Sequence, residues 1–249
     1  MKYNSYQEKL DKIKPSLLKN VLQLPSATPS AAIQYEFGVN DLTLEILMEK
    51  IVLAVETLNL DDNRISKKLL EVMLQKKVPG FCTEVLEACE ILQVSLDALK
   101  SESNVREVLK KKVVKLQSVQ LLSRMIIGSK MDRVLVKGFS YDGSMKKYLT
   151  ELNFQEARAI FMSRYRMWPT KENFPGRWSG ENCNICGRRD TDEHIFTCPG
   201  YTDLINEKFE YDVFWEQECL NDTMRLKAVA GSVIKIIERL EIIQSLNLE

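Results

Sequence analysis

Hydrophobic residues in this chain recur at helical spacing along most of its length, and no convincing run of alternating strands interrupts them. Leu44, Leu47, Met48, Ile51, Val55 and Leu58 follow an i, i+3, i+4, i+7 rule behind Asp41, a candidate cap. Val105, Leu109, Val113 and Leu116 do the same, as do Phe154, Ala157, Phe161 and Trp168, where Asn153 and Glu156 have capping-box spacing. Thr223 to Leu248 reads as one long helix. The only β-like string is the short "RVLVKGF", Arg133 to Phe139. A mainly α fold follows. "LPSATPS" (Leu24 to Ser30), "GFSYDGS" (Gly138 to Ser144) and "WPTKENFPGRWSGEN" (Trp168 to Asn182) break the pattern with prolines and glycines.

The last break leads into Cys183-x2-Cys186-x7-His194-x3-Cys198, which holds three of the six cysteines and the only histidine. Cys-x-x-Cys followed by Gly187 makes a turn whose backbone N–H groups can face thiolates. Asp190 and Glu193 have capping-box spacing for a helix that Pro199-Gly200 would stop, and on it His194 and Cys198 share a face. Two ligands from a turn and two from a helix make a tetrahedral site, and soft thiolates with one imidazole favour zinc. Four protein ligands leave no position for water, so the expected role is structural. Cys82, Cys89 and Cys219 read instead as small buried hydrophobes.

Other chemistry is poorly represented. With His194 on a metal, no histidine is left for a nucleophile pair. There is no glycine-rich phosphate loop, and Asp61-Asp62 reads as helix-start capping. No catalytic residue is assigned. Lys+Arg and Asp+Glu balance at 35 each, so an argument for nucleic acid must come from local clustering. Between Ser144 and Asp190 there are nine basic residues against five acidic. Arg158, Arg164, Arg166, Arg177, Arg188 and Arg189 are candidate phosphate contacts, interleaved with Tyr165, Trp168, Phe174 and Trp178. Against this, arginines on amphipathic helices are ordinarily a solvated face, and Phe161 and Trp168 suit a core. From Asp203 to Asp222 seven acids face one lysine. "KKKVVK" (Lys110 to Lys115) reads as a solvated helix face. No apolar run reaches the ~18 residues of a membrane span. The polar start "MKYNSYQEKLDKIKPS" is unlike a secretory signal, which points to an intracellular setting, nucleus or cytoplasm.

"CNICGRRDTDEHIFTCPGY", preceded by "ARAIFMSRYRMWP", resembles the zinc-binding segment that follows the polymerase domain in non-LTR (LINE-type) retrotransposon reverse transcriptases. Cys183, Cys186, Gly187, Asp190, Thr191, Glu193, His194, Ile195, Phe196, Cys198 and Pro199 carry the match. The preceding helix is less similar to the family's "fRtG" segment, because no glycine follows the arginine. "LLKNVLQLPSATPSAAIQYEFGVNDLTLEILMEKI" is similar to the region at and beyond the family's thumb, through Leu24, Pro25, Thr28, Pro29, Glu36 and Gly38.

The resemblance implies a thumb-like helical segment (1–60), a helical linker region (61–180), and a CCHC zinc module with C-terminal helices (181–249). The polymerase Tyr/Phe-x-Asp-Asp string is missing, as is the Pro-Asp and Glu/Asp-x-Lys arrangement of the nuclease that some members carry. The resemblance therefore implies the post-polymerase portion alone: a non-catalytic zinc protein that holds RNA or DNA. The alternative is a helical protein-interaction scaffold stapled by a structural zinc.

Overall fold

The structure, a computed structural model, describes residues 5–127, 139–174, 180–205, 213–214 and 220–245. Among them the protein is helical, with no strand. The helices are α1 (Ser5–Asp11), α2 (Ile13–Val21), α3 (Ser30–Phe37), α4 (Leu42–Leu58), α5 (Ile65–Gln75), α6 (Phe81–Leu92), α7 (Leu96–Lys100) and α8 (Val105–Ile127). They continue with α9 (Tyr148–Glu151), α10 (Phe154–Arg164), α11 (Asp192–Thr197) and α12 (Thr223–Ser245). Arg133 to Gly138 of the β-like string, Arg177, Trp178 and Cys219 lie outside the described residues.

The chain divides into two compact units that interleave in sequence. The first comprises Met1–Leu17, Gly38–Arg124 and Ser140–Ser144; the second comprises Leu18–Phe37, Met125–Phe139 and Met145–Glu249.

In the first unit α4 is central, packed by α1, α5, α6 and α7. Leu44, Ile51 and Val55 project at helical period into a core completed by Leu70, Val85, Leu92, Leu109 and Val113. Cys82 and Cys89 lie in that core, and burial pushes the Cys89 thiol up to about 11, as suits an inert hydrophobe. Asp41 stands at the N-cap of α4 but does not cap it with its side chain. The buried carboxylate instead pairs bidentately with Arg124, at 2.7 and 3.2 Å, while the Asp41 N–H donates to Gln117 Oε1. The capping acceptor comes from α1, where Asp11 Oδ1 accepts the Thr43 N–H at 2.8 Å. Gly38, at φ 63°, is fixed by close approach: a Cβ there would stand 2.4 Å from the Ser144 carbonyl carbon.

The second unit is built on two helices buried on nearly all sides. Every residue of α3 from Ala31 to Phe37 is buried, as are Ala157 and Ala159 to Arg164 of α10. The Asn153–Glu156 capping box starts α10 with both reciprocal bonds, each 3.0 Å. α12 packs against α10 through Leu226, Val229, Ala230, Val233, Ile236, Ile237 and Leu240, an apolar stripe at helical period.

A polar knot joins α3 to α10. Glu36 Oε1, fully buried, accepts from Arg164 Nε at 3.0 Å and from the Tyr165 hydroxyl at 2.6 Å. Arg164 also donates to the Phe214 carbonyl. Burial alone would lower the Arg164 pKa, but the Glu36 carboxylate and the surrounding tyrosines outweigh it and move it upward. Burial, then Glu36, raise the tyrosines Tyr148 and Tyr165. Glu36 and Arg164 are thus partners in a buried salt bridge of 3.0 Å.

Candidate metal centre

The centre is assembled from a turn and a short helix. In the turn, the Gly187 N–H donates to the Cys183 carbonyl at 3.0 Å, and the Cys183 N–H to the Arg188 carbonyl at 2.6 Å. Gly187 takes φ 74°, the left-handed conformation that this turn requires. A single antiparallel bridge between Asn182 and Arg189 and the Asp190 N–H···O=C Glu181 bond close its base. Backbone N–H groups face the sulfurs: Ile185 N–H reaches Cys183 Sγ at 3.5 Å, and the Arg188 N–H lowers the Cys186 pKa.

The second half is α11, capped by Thr191, whose Oγ1 accepts the His194 N–H at 3.1 Å. The cap is thus one residue later than the Asp190–Glu193 spacing predicts, because the Asp190 carboxylate has another task. It accepts the Lys171 N–H at 2.9 Å. Beside it, Asp192 accepts from Asn173 Nδ2 at 2.7 Å, and Lys171 Nζ donates to Asn184 at 2.8 Å. These buried acids fasten the Thr170 to Asn173 turn to the cysteine segment, and burial raises the Asp190 pKa. On the other side Arg239 of α12 holds Asp203 with two bonds, of 2.7 and 2.9 Å, and the Gly200 carbonyl at 2.8 Å.

Between turn and helix, Cys183 Sγ, Cys186 Sγ, His194 and Cys198 Sγ bring one ligand atom each within 4.8 Å of one another. Cys198 Sγ lies 3.9 Å from both other sulfurs, and Cys186 Sγ lies 3.1 Å from His194 Nε2. With zinc–sulfur bonds of about 2.3 Å, two sulfurs on a tetrahedron stand about 3.8 Å apart. The sulfur spacing fits such an ion, and the donor set is the soft one that zinc takes. Cys183, His194 and Cys198 are buried, while Cys186 is half-buried. Burial raises Cys198 to about 12 and lowers His194, disfavouring the charged form of each. All four sequence-predicted ligands are brought together, and the arrangement is compatible with a metal site.

The six candidate phosphate arginines have different fates. Arg164 is corrected: it is 3% exposed and committed to Glu36 and Phe214, so it is not available to a phosphate. Arg158 is half-buried and donates to the Gln23 carbonyl at 3.3 Å. Arg166 approaches Glu193 at 3.9 Å. Arg188 and Arg189 are exposed on the cysteine turn. Arg177 lies outside the described residues. Phe161, Tyr165 and Trp168 are fully buried and act as core, Trp168 edge-on to Phe196 at 5.4 Å. Asp192 and Arg239 carry no local sequence signal that places them beside the ligands, and Lys171, one of the basic residues of this segment, instead bonds Asp190 and Asn184. Thr191 has the residue type and the spacing to His194 of an N-cap.

No protein-family model, curated protein or solved structure matches this chain. Among the described residues no helix is long and apolar enough to cross a membrane.

Proposed function

We propose that this is a non-catalytic zinc protein that contacts RNA or DNA through its cysteine turn. The observation that carries the zinc reading is the closed set of four ligand atoms within 4.8 Å, which leaves no position for a reacting water. Zinc would act as a staple between the cysteine turn and helix α11. Arg188 and Arg189 then project from the stapled turn, where guanidinium groups can reach phosphates.

Two further observations support the likeness to the post-polymerase region of LINE-type reverse transcriptases. Glu36 and Arg164 come from the two separate stretches that carry the resemblance, and they pair in the core. Arg166, where an "fRtG" segment carries its glycine, has φ 50°, a conformation glycine adopts at least cost.

Zinc-loaded protein should bind structured RNA or duplex DNA at low salt. Arg188→Ala with Arg189→Ala should reduce the slope of log affinity against log salt by about 0.7–0.9 for each lost contact. Binding that is absent at low salt, or a slope unchanged by both substitutions, would contradict the nucleic-acid role. The second reading, a zinc-stapled scaffold for proteins, is favoured by the burial of Arg164, Tyr165 and Trp168, which removes three of the residues placed at a nucleic-acid face.

A further inference from the structure

Helix α5 has two apolar faces, and the first unit's core uses only one. Leu70 is buried, with Met73 and Leu74 packed beside it. On the other side Ile65, Leu69 and Val72 are 82%, 57% and 45% exposed. Their i, i+4, i+7 spacing makes them one stripe along the helix. A helix that is apolar on both sides is ordinarily covered on both.

The charges around this stripe select its occupant. Asp61 and Asp62 stand in the turn just before α5, where they outnumber the exposed Arg64 at its N-cap, and Lys76 and Lys77 stand just after it, with Lys76 in line with the stripe. An apolar middle with acidic and basic ends is complementary to itself when turned end for end. Setting Leu69 on Leu69 places Ile65 against Val72 and Met73 of the second copy, and Lys76 against its Asp61–Asp62 turn. The antiparallel arrangement also opposes the two helix dipoles. The existing Asp62–Lys67 pair is on a solvent-exposed carboxylate, 93% accessible, and competes weakly. A purely acidic partner would suit Lys68 and Lys76 but would meet Asp61 and Asp62 with like charge.

We propose that α5 is a homodimerisation face, on which a second copy of this chain packs antiparallel. Lys68 flanks the two-fold and meets its own copy there. One helix face is also less than the ~800 Å² per partner of a standard interface. The dimer is therefore weak and concentration-dependent.

Sedimentation velocity on the intact, zinc-loaded protein, from about 1 µM to several hundred µM, tests this. The expected result is a monomer–dimer equilibrium that Leu69→Glu weakens by at least about tenfold. Leu69 is more than half exposed, so the variant should keep its far-UV circular dichroism. Lys76→Glu alone, and Asp61→Lys with Asp62→Lys, should each weaken the dimer, and the three together should restore it. Four results would overturn the proposal: monomer at every concentration, a dimer indifferent to Leu69→Glu, a combined charge swap that fails to restore, or a stripe that binds phosphatidylserine vesicles without self-association.

Discussion

Arg164→Met is the most informative single substitution in the fold. The arginine is 3% exposed and its carboxylate partner Glu36 is fully buried, so neither charge has water to fall back on. Methionine matches the length of the aliphatic stem, which keeps any cavity small. What remains is a stranded buried carboxylate, still held by Tyr165, and a Phe214 carbonyl that loses its donor. Breaking a buried pair from one side costs about 3–5 kcal/mol. For a chain of this size that is a fall in Tm of about 6–20 °C. Urea unfolding at neutral pH reads the free energy directly. Glu36→Gln introduced beside Arg164→Met removes the stranded charge and should recover part of the loss. A cost below about 1 kcal/mol for Arg164→Met would show that the pair is not internal to the fold, and the reasoning would fail. Measured below its Tm, the same variant should bind nucleic acid with an unchanged salt slope, because this arginine meets a carboxylate and not a phosphate.

Cys186→Ser should abolish zinc binding and expose the 181–203 region to proteolysis, while the α4–α6 core keeps its helicity. Gly38→Ala should destabilise by more than 1 kcal/mol in urea titration, since a Cβ would sit 2.4 Å from the Ser144 backbone at a positive φ. Asp11→Asn should stabilise the protein at neutral pH. Burial raises the Asp11 pKa above 3.8, so ionising it in the folded state costs free energy that is absent below that value and grows as pH rises through the folded pKa. Asparagine keeps the oxygen that caps Thr43, so the gain in Tm should be present at pH 7 and gone near pH 3.

The helices were legible because their period is local. Leu44, Ile51 and Val55 predict α4 from spacing alone, and Asn153 and Glu156 predict the start of α10 to the residue. The four ligands were legible because Cys-x-x-Cys and His-x3-Cys each place two atoms through local geometry. What the sequence concealed is non-local. Asp41 has the place and chemistry of a cap, yet Arg124, eighty-three residues on, claims its carboxylate and Asp11 caps in its stead. Arg164 looks like a surface cation until Glu36, 128 residues earlier, is seen beside it. In the same way Asp190 was drawn away from capping by the Lys171 backbone, and the cap passed to Thr191. In each case a long-range partner outbids the local one, and spacing carries no record of it.

Zinc content per chain, measured by mass spectrometry of the metal in purified protein and in Cys198→Ser, tests the central claim most directly. One zinc per chain in the native protein, lost in the variant together with the tertiary structure of the 181–203 region, is the predicted result. A native protein that carries no zinc when purified with zinc present, or a Cys198→Ser variant that keeps its full complement, would contradict it.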